Sequence, residues 1–242
     1  DREWQAPTKQ ATDELMRSKG WQTGHLRYNS GRAIWQNGAD LANWLEAANA
    51  AYPAREIVLI GHSMGGLLMR SAFAYAQDHD QSWPARVSKA AYLATPHLGA
   101  PLERAGNRLN TLLGHSPYTA PFMRLGNIRS AAIKDLRYGF ISQVEHEQTQ
   151  DIGSRDHRLQ LNPLPDGMAH LLIAGSRNPE AAKNWVGDGL VPLYSALGQH
   201  NRAEKTLLAE NITRLCFDHV DHLAMLSDVR VWDALTDWWL AP

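Results

Sequence analysis

The 242-residue sequence contains a single cysteine, Cys216, so it cannot form an internal disulfide and nothing in it demands an oxidising compartment. Cytoplasmic residence is the default expectation. Charge of one sign is also missing: 24 lysines and arginines stand against 25 acidic residues, which argues against nucleic acid or an anionic membrane surface as the main partner. No stretch approaches the roughly 18 apolar residues of a membrane span. Asp1-Arg2-Glu3-Trp4 lacks the apolar core of a secretory signal. Internal repeats and low-complexity runs are absent. Despite eleven histidines, neither an H-E-x-x-H nor a paired-cysteine spacing occurs, so no catalytic metal and no cofactor is expected. Glu145-His146-Glu147 and Asp78-His79-Asp80 read instead as solvated helix faces. These exclusions leave a small, near-neutral substrate.

What is present is an alternation of short apolar runs with helical periodicity. It predicts an α/β fold: a mostly parallel sheet with helices on both faces, in a single domain over 1–242. Leu41, Trp44, Leu45, Ala48 and Tyr52 fall at helical spacing and predict one buried stripe on a helix ending near Pro53. Ile57-Val58-Leu59-Ile60 is apolar on both faces, as a strand sandwiched between helix layers must be. Further strands are expected at 25–29, 87–93, 171–174 and 212–217. Val231, Trp232, Leu235, Trp238 and Trp239 predict an amphipathic closing helix. From about 103 to 166 the rhythm breaks, and this stretch reads as an insertion over the active-site end of the sheet.

Gly61-His62-Ser63-Met64-Gly65-Gly66 follows the clearest strand and opens a helix, the context a G-x-S-x-G nucleophile turn requires. A serine hydroxyl is a weak nucleophile at neutral pH, so it must stand on a tight turn within reach of a base and near a helix start. Side chains at Gly61 or Gly65 are expected to crowd that turn. The Met64 N–H, just after the nucleophile, is a candidate oxyanion donor. His62 is given a structural role. An acid and then a histidine must follow, on loops at the carboxyl ends of later strands. Asp188, between Gly187 and Gly189, ranks above Asp166, which precedes its strand. His222, at a loop-to-helix junction after the last strand, ranks above His219 in the same loop.

The Gly61-to-Gly66 turn, Thr95-Pro96-His97-Leu98-Gly99-Ala100-Pro101, the Gly187-to-Pro192 loop and His222-Leu223 together resemble the bacterial lipase and esterase branch of the α/β hydrolases, near the GPI inositol-deacylase-like hydrolases. The resemblance spans about residues 4–239 and is weakest over 103–166, which it identifies as a helical cap shaping the acyl pocket. It implies that His97 and Leu98 line the cleft. Members carry a His-Gly loop after the third strand that supplies a second oxyanion N–H, and Asp1-Arg2-Glu3-Trp4 resembles the tail of that loop. The expectation is therefore a chain lacking the first strands.

The function so implied is carboxylic-ester hydrolysis, with a small-molecule acyl ester as substrate, no nucleic-acid partner, no integral membrane segment, and the cap as the surface for any lipid contact. A thioesterase, amidase or acyltransferase would use the same triad. A non-catalytic scaffold is the third reading.

Overall fold

The structure is a computed structural model that describes residues 7–53, 55–100, 131–148, 161–178 and 187–241. Among these residues four strands form one sheet: β1 (Ile57–His62), β2 (Val87–Leu93), β3 (Ala169–Ser176) and β4 (Ile212–Asp218). The sheet order is β1-β2-β3-β4 and every pairing is parallel, so all four carboxyl ends open on one side. Seven helices accompany them: α1 (Pro7–Ser18), α2 (Ile34–Ala51), α3 (Met64–Asp78), α4 (Ala131–Tyr138), α5 (Gln143–Gln148), the single turn α6 (Leu193–Ala196) and α7 (Val229–Leu240).

The period-two geometry of strands divides their side chains between two cores. Leu59, Ala90, Tyr92 and Leu172 point to one face, where Leu41 and Leu45 of α2 and Leu68, Met69 and Phe73 of α3 cover them. Ile60, Ala91, Leu93, Leu171 and Ile173 point to the other, against Val231, Trp232 and Leu235 of α7. This explains why β1 and β3 read as unbroken apolar runs: both faces are covered. Fully burying each large aliphatic or aromatic side chain contributes roughly 1.5–3 kcal/mol. Helices α2 and α3 approach closely because Gly38 has no side chain, and a Cβ there would overlap the Ser71 hydroxyl.

Two sequence expectations are corrected. The stretch 25–29 is not a strand: Leu26 is 48% exposed, residues 24–27 face solvent in succession, and no alternating face exists to bury. There the backbone turns instead, with Asn29 Oδ1 accepting from the Gly31 N–H and the Asn29 carbonyl accepting from Asn37 Nδ2. On α2, Trp44 and Tyr52 are exposed, and the buried stripe runs through Ile34, Leu41, Ala42 and Leu45, closer to α3. Of the expected cap, 103–130 and 149–160 lie outside the described residues, as does Asp1-Arg2-Glu3-Trp4. The lipid contact assigned to the cap rests on the same stretch and also lies outside the described residues. Among the described residues no helix is long and apolar enough to cross a membrane.

Candidate active site

Strand β1 ends at His62, and the chain reverses into α3 through Ser63 at φ 53° and ψ −123°. This region favours glycine, and a serine there stores strain. The turn is held because the Ser63 N–H donates to the Leu93 carbonyl at 2.8 Å, while the Gly66 N–H donates back to the Ser63 carbonyl at 3.1 Å. Ser63 is half-buried at the carboxyl edge of the sheet. Met64 and Gly65 are the first residues of α3, where helix N–H groups have no acceptor within the helix.

The glycines are required, but not both of those expected. A Cβ on Gly61 would stand 2.6 Å from Met69 Sδ and 2.7 Å from the Gly66 nitrogen, and one on Gly66 would overlap the Thr95 hydroxyl. A Cβ on Gly65 meets open space, so the crowding falls on Gly61 and Gly66. The helix turns Gly65 outward and presses Gly66 against the loop after β2.

The loop after β3 carries Asp188. Gly187 and Gly189, at φ 47° and 96°, bend it so that the carboxylate folds back on its own backbone. Asp188 Oδ1 accepts from the Leu190 and Val191 N–H groups at 2.9 and 2.8 Å. Its other oxygen, Oδ2, lies 2.7 Å from His222 Nδ1. The His222 N–H donates to the Asp188 carbonyl at 3.2 Å, which ties the two loops together twice. Both side chains are buried, and Gly175 at the end of β3 gives them room: a Cβ there would stand 2.5 Å from the Val220 carbonyl and 3.3 Å from Asp188 Cβ. The alternatives fall elsewhere. Asp166 is exposed ahead of β3, and His219 is exposed with φ 61° just past β4.

His62 joins the nucleophile turn to the histidine loop. Its Nε2 lies 2.9 Å from the His222 carbonyl, so this nitrogen carries the proton and donates. The two rings are 4.7 Å apart. Burial, and then the neighbouring His222, push the His62 pKa down to about 3, which keeps it neutral. His222 Nε2 is buried and has no hydrogen-bond partner, so Ser63 and His222 are neighbours through His62 without a direct bond between them.

His97 departs from expectation. It is wholly buried, with its ring edge-on to Tyr92 at 5.1 Å, and cannot line an open cleft. The reason is its backbone N–H, which donates to the carbonyls of Thr95 and Ser195 and folds the loop inward. Leu98 is half-buried, its N–H donating to Ser195 Oγ at 3.1 Å. Sequence reasoning missed two contacts: the packing of Thr95 on Gly66 and the His62 bond to the His222 carbonyl. The second glycine of the Gly65-Gly66 pair was the one available signal for the first. Among the described residues no three His, Cys, Asp or Glu side chains are grouped to hold a metal ion.

The strand, strained serine and helix thus stand on a parallel sheet, and several solved structures align with the chain at low identity. A lipase of Bacillus licheniformis, BlEst2 in its mature form, aligns at 19% identity over 87% of this chain and 76% of that one, with a TM-score of 0.49. A thermophilic esterase aligns at 15% identity over 90% and 76%, with a TM-score of 0.46. The mouse alpha/beta hydrolase domain-containing protein 10 aligns at 15% identity over 98% and 83%, with a TM-score of 0.45. Among curated proteins, no sequence matches the chain. The family model described as a PGAP1-like alpha/beta domain matches residues 40–164, just over half of the sequence. This chain is a member of the PGAP1-like alpha/beta domain family.

Proposed function

We propose that this protein is a serine hydrolase that cleaves carboxylic esters through an acyl-enzyme on Ser63. The observation that carries the reading is the Asp188–His222 pair, bonded at 2.7 Å and held by the His62 contact beside the turn that presents Ser63. His222 Nε2 acts as the base. Its other nitrogen is committed to Asp188, which fixes the tautomer and leaves Nε2 able to accept the Ser63 proton. The Ser63 oxygen then attacks the ester carbonyl, and the tetrahedral oxyanion is stabilised by the Met64 N–H at the start of α3. His222 returns the proton to the leaving alkoxide, and the alcohol departs. Water, deprotonated by the same nitrogen, releases the acid and frees Ser63.

Asp188 suits its role because three hydrogen bonds converge on its carboxylate. Two come from backbone N–H groups and one from the imidazole, so the buried carboxylate is fixed in place facing the imidazolium formed during each turnover. For this step the Ser63 hydroxyl must come within hydrogen-bond reach of His222 Nε2, a contact that is often long in unliganded enzymes. The substrate class is a small acyl ester, in keeping with the balanced charge of the chain. The test is hydrolysis of a nitrophenyl ester together with labelling by a fluorophosphonate probe. Turnover and labelling, both abolished in Ser63→Ala, are expected. Turnover unchanged in that variant would overturn the assignment.

A further inference from the structure

On the α3 face of the sheet lies a group of polar side chains that the proposed chemistry does not use. Tyr92, Thr95, His97 and His170 are all wholly buried. The Tyr92 hydroxyl, Thr95 Oγ1, both His97 ring nitrogens and His170 Nδ1 have no hydrogen-bond partner within the protein. The residues are close together. The Tyr92 ring is 5.1 Å from His97 and 6.1 Å from His170. Thr95 packs on Gly66, and Arg70, one turn further along the same side of α3, acts electrostatically on both Tyr92 and His97. Arg70 itself reaches across to donate from Nη2 to the Asn162 carbonyl at 2.8 Å.

So many buried polar atoms without protein partners are rare in folded proteins, because each forfeits its hydrogen bond to water on burial. The chemistry of the group selects what satisfies them. Burial foremost, and then the charges of Arg70 and Arg214, hold the His97 pKa well below its ordinary value, so His97 is neutral with one ring nitrogen donating and the other accepting. Burial likewise pushes the Tyr92 pKa up, so its phenol stays protonated. An anion can only accept and would leave one His97 nitrogen unmet. A cation is repelled by the two guanidiniums and finds no carboxylate among these side chains. Water both donates and accepts, and it fits polar interior sites of this kind.

We infer that Tyr92, Thr95 and His97 form an internal binding site for sequestered water, behind the start of α3. The site is independent of the triad: its residues touch neither Asp188 nor His222 in any recorded hydrogen bond, and it stands or falls without the esterase reading. Its consequence is mechanical. Water bridging this group would brace the Thr95-to-Gly99 loop against Tyr92 of β2, in addition to the fastening of that loop to Ser195.

The test is a high-resolution crystal structure of the unmodified protein, with a parallel crystal soaked in sodium bromide. Water density within hydrogen-bond distance of His97 and the Tyr92 hydroxyl, without an anomalous bromide signal, is the expected result. A bromide peak between Arg70 and His97 would make the site an anion site and overturn the inference. So would side chains bonded directly to one another with no intervening density. In solution, water-deuteron relaxation dispersion of the same protein should detect long-lived internal water, with loss of part of that signal in Tyr92→Phe. An unchanged signal in a Tyr92→Phe variant that melts cooperatively counts against the site.

Discussion

The His62 ring donates a hydrogen bond from Nε2 to the main-chain carbonyl of His222, 2.9 Å away, so the residue before Ser63 grips the loop that carries the imidazole. The bond links side chain to backbone, which sets the height of the loop above the sheet without competing for either nitrogen of His222. His62→Phe keeps a ring of similar shape and removes the donor. Losing one such bond is worth about 1 kcal/mol, so kcat should fall by up to about tenfold with KM little changed. His62→Gln, which restores a donor, should recover part of the loss. Steady-state hydrolysis of a nitrophenyl ester decides it, and equal activity in His62→Phe would show that the grip is idle.

Asp188 does two jobs, and two substitutions separate them. Asn keeps an oxygen to accept from the Leu190 and Val191 N–H groups, so the loop should survive while the charge facing His222 is lost. A fall in kcat of about 10⁴ is expected, as for the equivalent change in a serine protease. Asp188→Ala also abandons the two N–H groups and should melt earlier than Asp188→Asn. Thermal melts of the two variants run side by side check this; equal melting temperatures would mean that the loop does not depend on the carboxylate.

Backbone strain at Ser63 makes a stability prediction of the opposite sign. A residue held at φ 53° and ψ −123° costs about 1–3 kcal/mol unless it is glycine. Ser63→Gly should therefore abolish ester turnover and raise Tm by several degrees, at about 2–4 °C per kcal/mol for a chain of this size. A Tm below that of the unmodified protein would show that the serine side chain stabilises the turn.

Acid should weaken the fold before the carboxylates titrate. Burial lowers the pKa values of His62, His97 and His170 in the folded chain, to about 3 for His62, against 6.5 when unfolded. Below about pH 6.5 the unfolded state thus binds protons that the folded state refuses. Stability from this source is fully present above that pH and is lost progressively as pH falls toward the folded values. Tm at about pH 5.5 should lie below Tm at about pH 7.5, and His62→Gln should flatten the slope. A Tm that rises toward acid would contradict the burial of these rings in neutral form.

The sheet is legible in the sequence because β1, β2 and β3 pack side chains into cores on both faces, and a run such as Ile57-Val58-Leu59-Ile60 has few other places to go. The elbow was legible because a strand, a serine between glycines and a helix follow within a few residues. The details that failed are those set by distant neighbours. Trp44 and Tyr52 have the right periodicity, but α3 lies against a different side of α2, and periodicity cannot choose between adjacent stripes. Gly65 and Gly66 are indistinguishable as letters; only the approach of Thr95 tells which one must stay bare. The family resemblance implies that His97 lines the cleft, yet two backbone acceptors fold it inside. Asp188 and His222, 34 positions apart, are ranked in the sequence by chain order and by their loops, and their hydrogen bond is a fact of the fold.

The sheet is laid down in the order in which its strands are made, β1 to β4, each beside the one before. A ribosome releasing this polypeptide can therefore build the platform step by step, adding a strand to a surface already in place. Ser63 follows β1 and His222 follows β4, so among the described strands the serine is made long before the imidazole. Until β4 has docked, the half-built sheet carries Ser63 without the base proposed for it, so the proposed chemistry would wait for the last described strand.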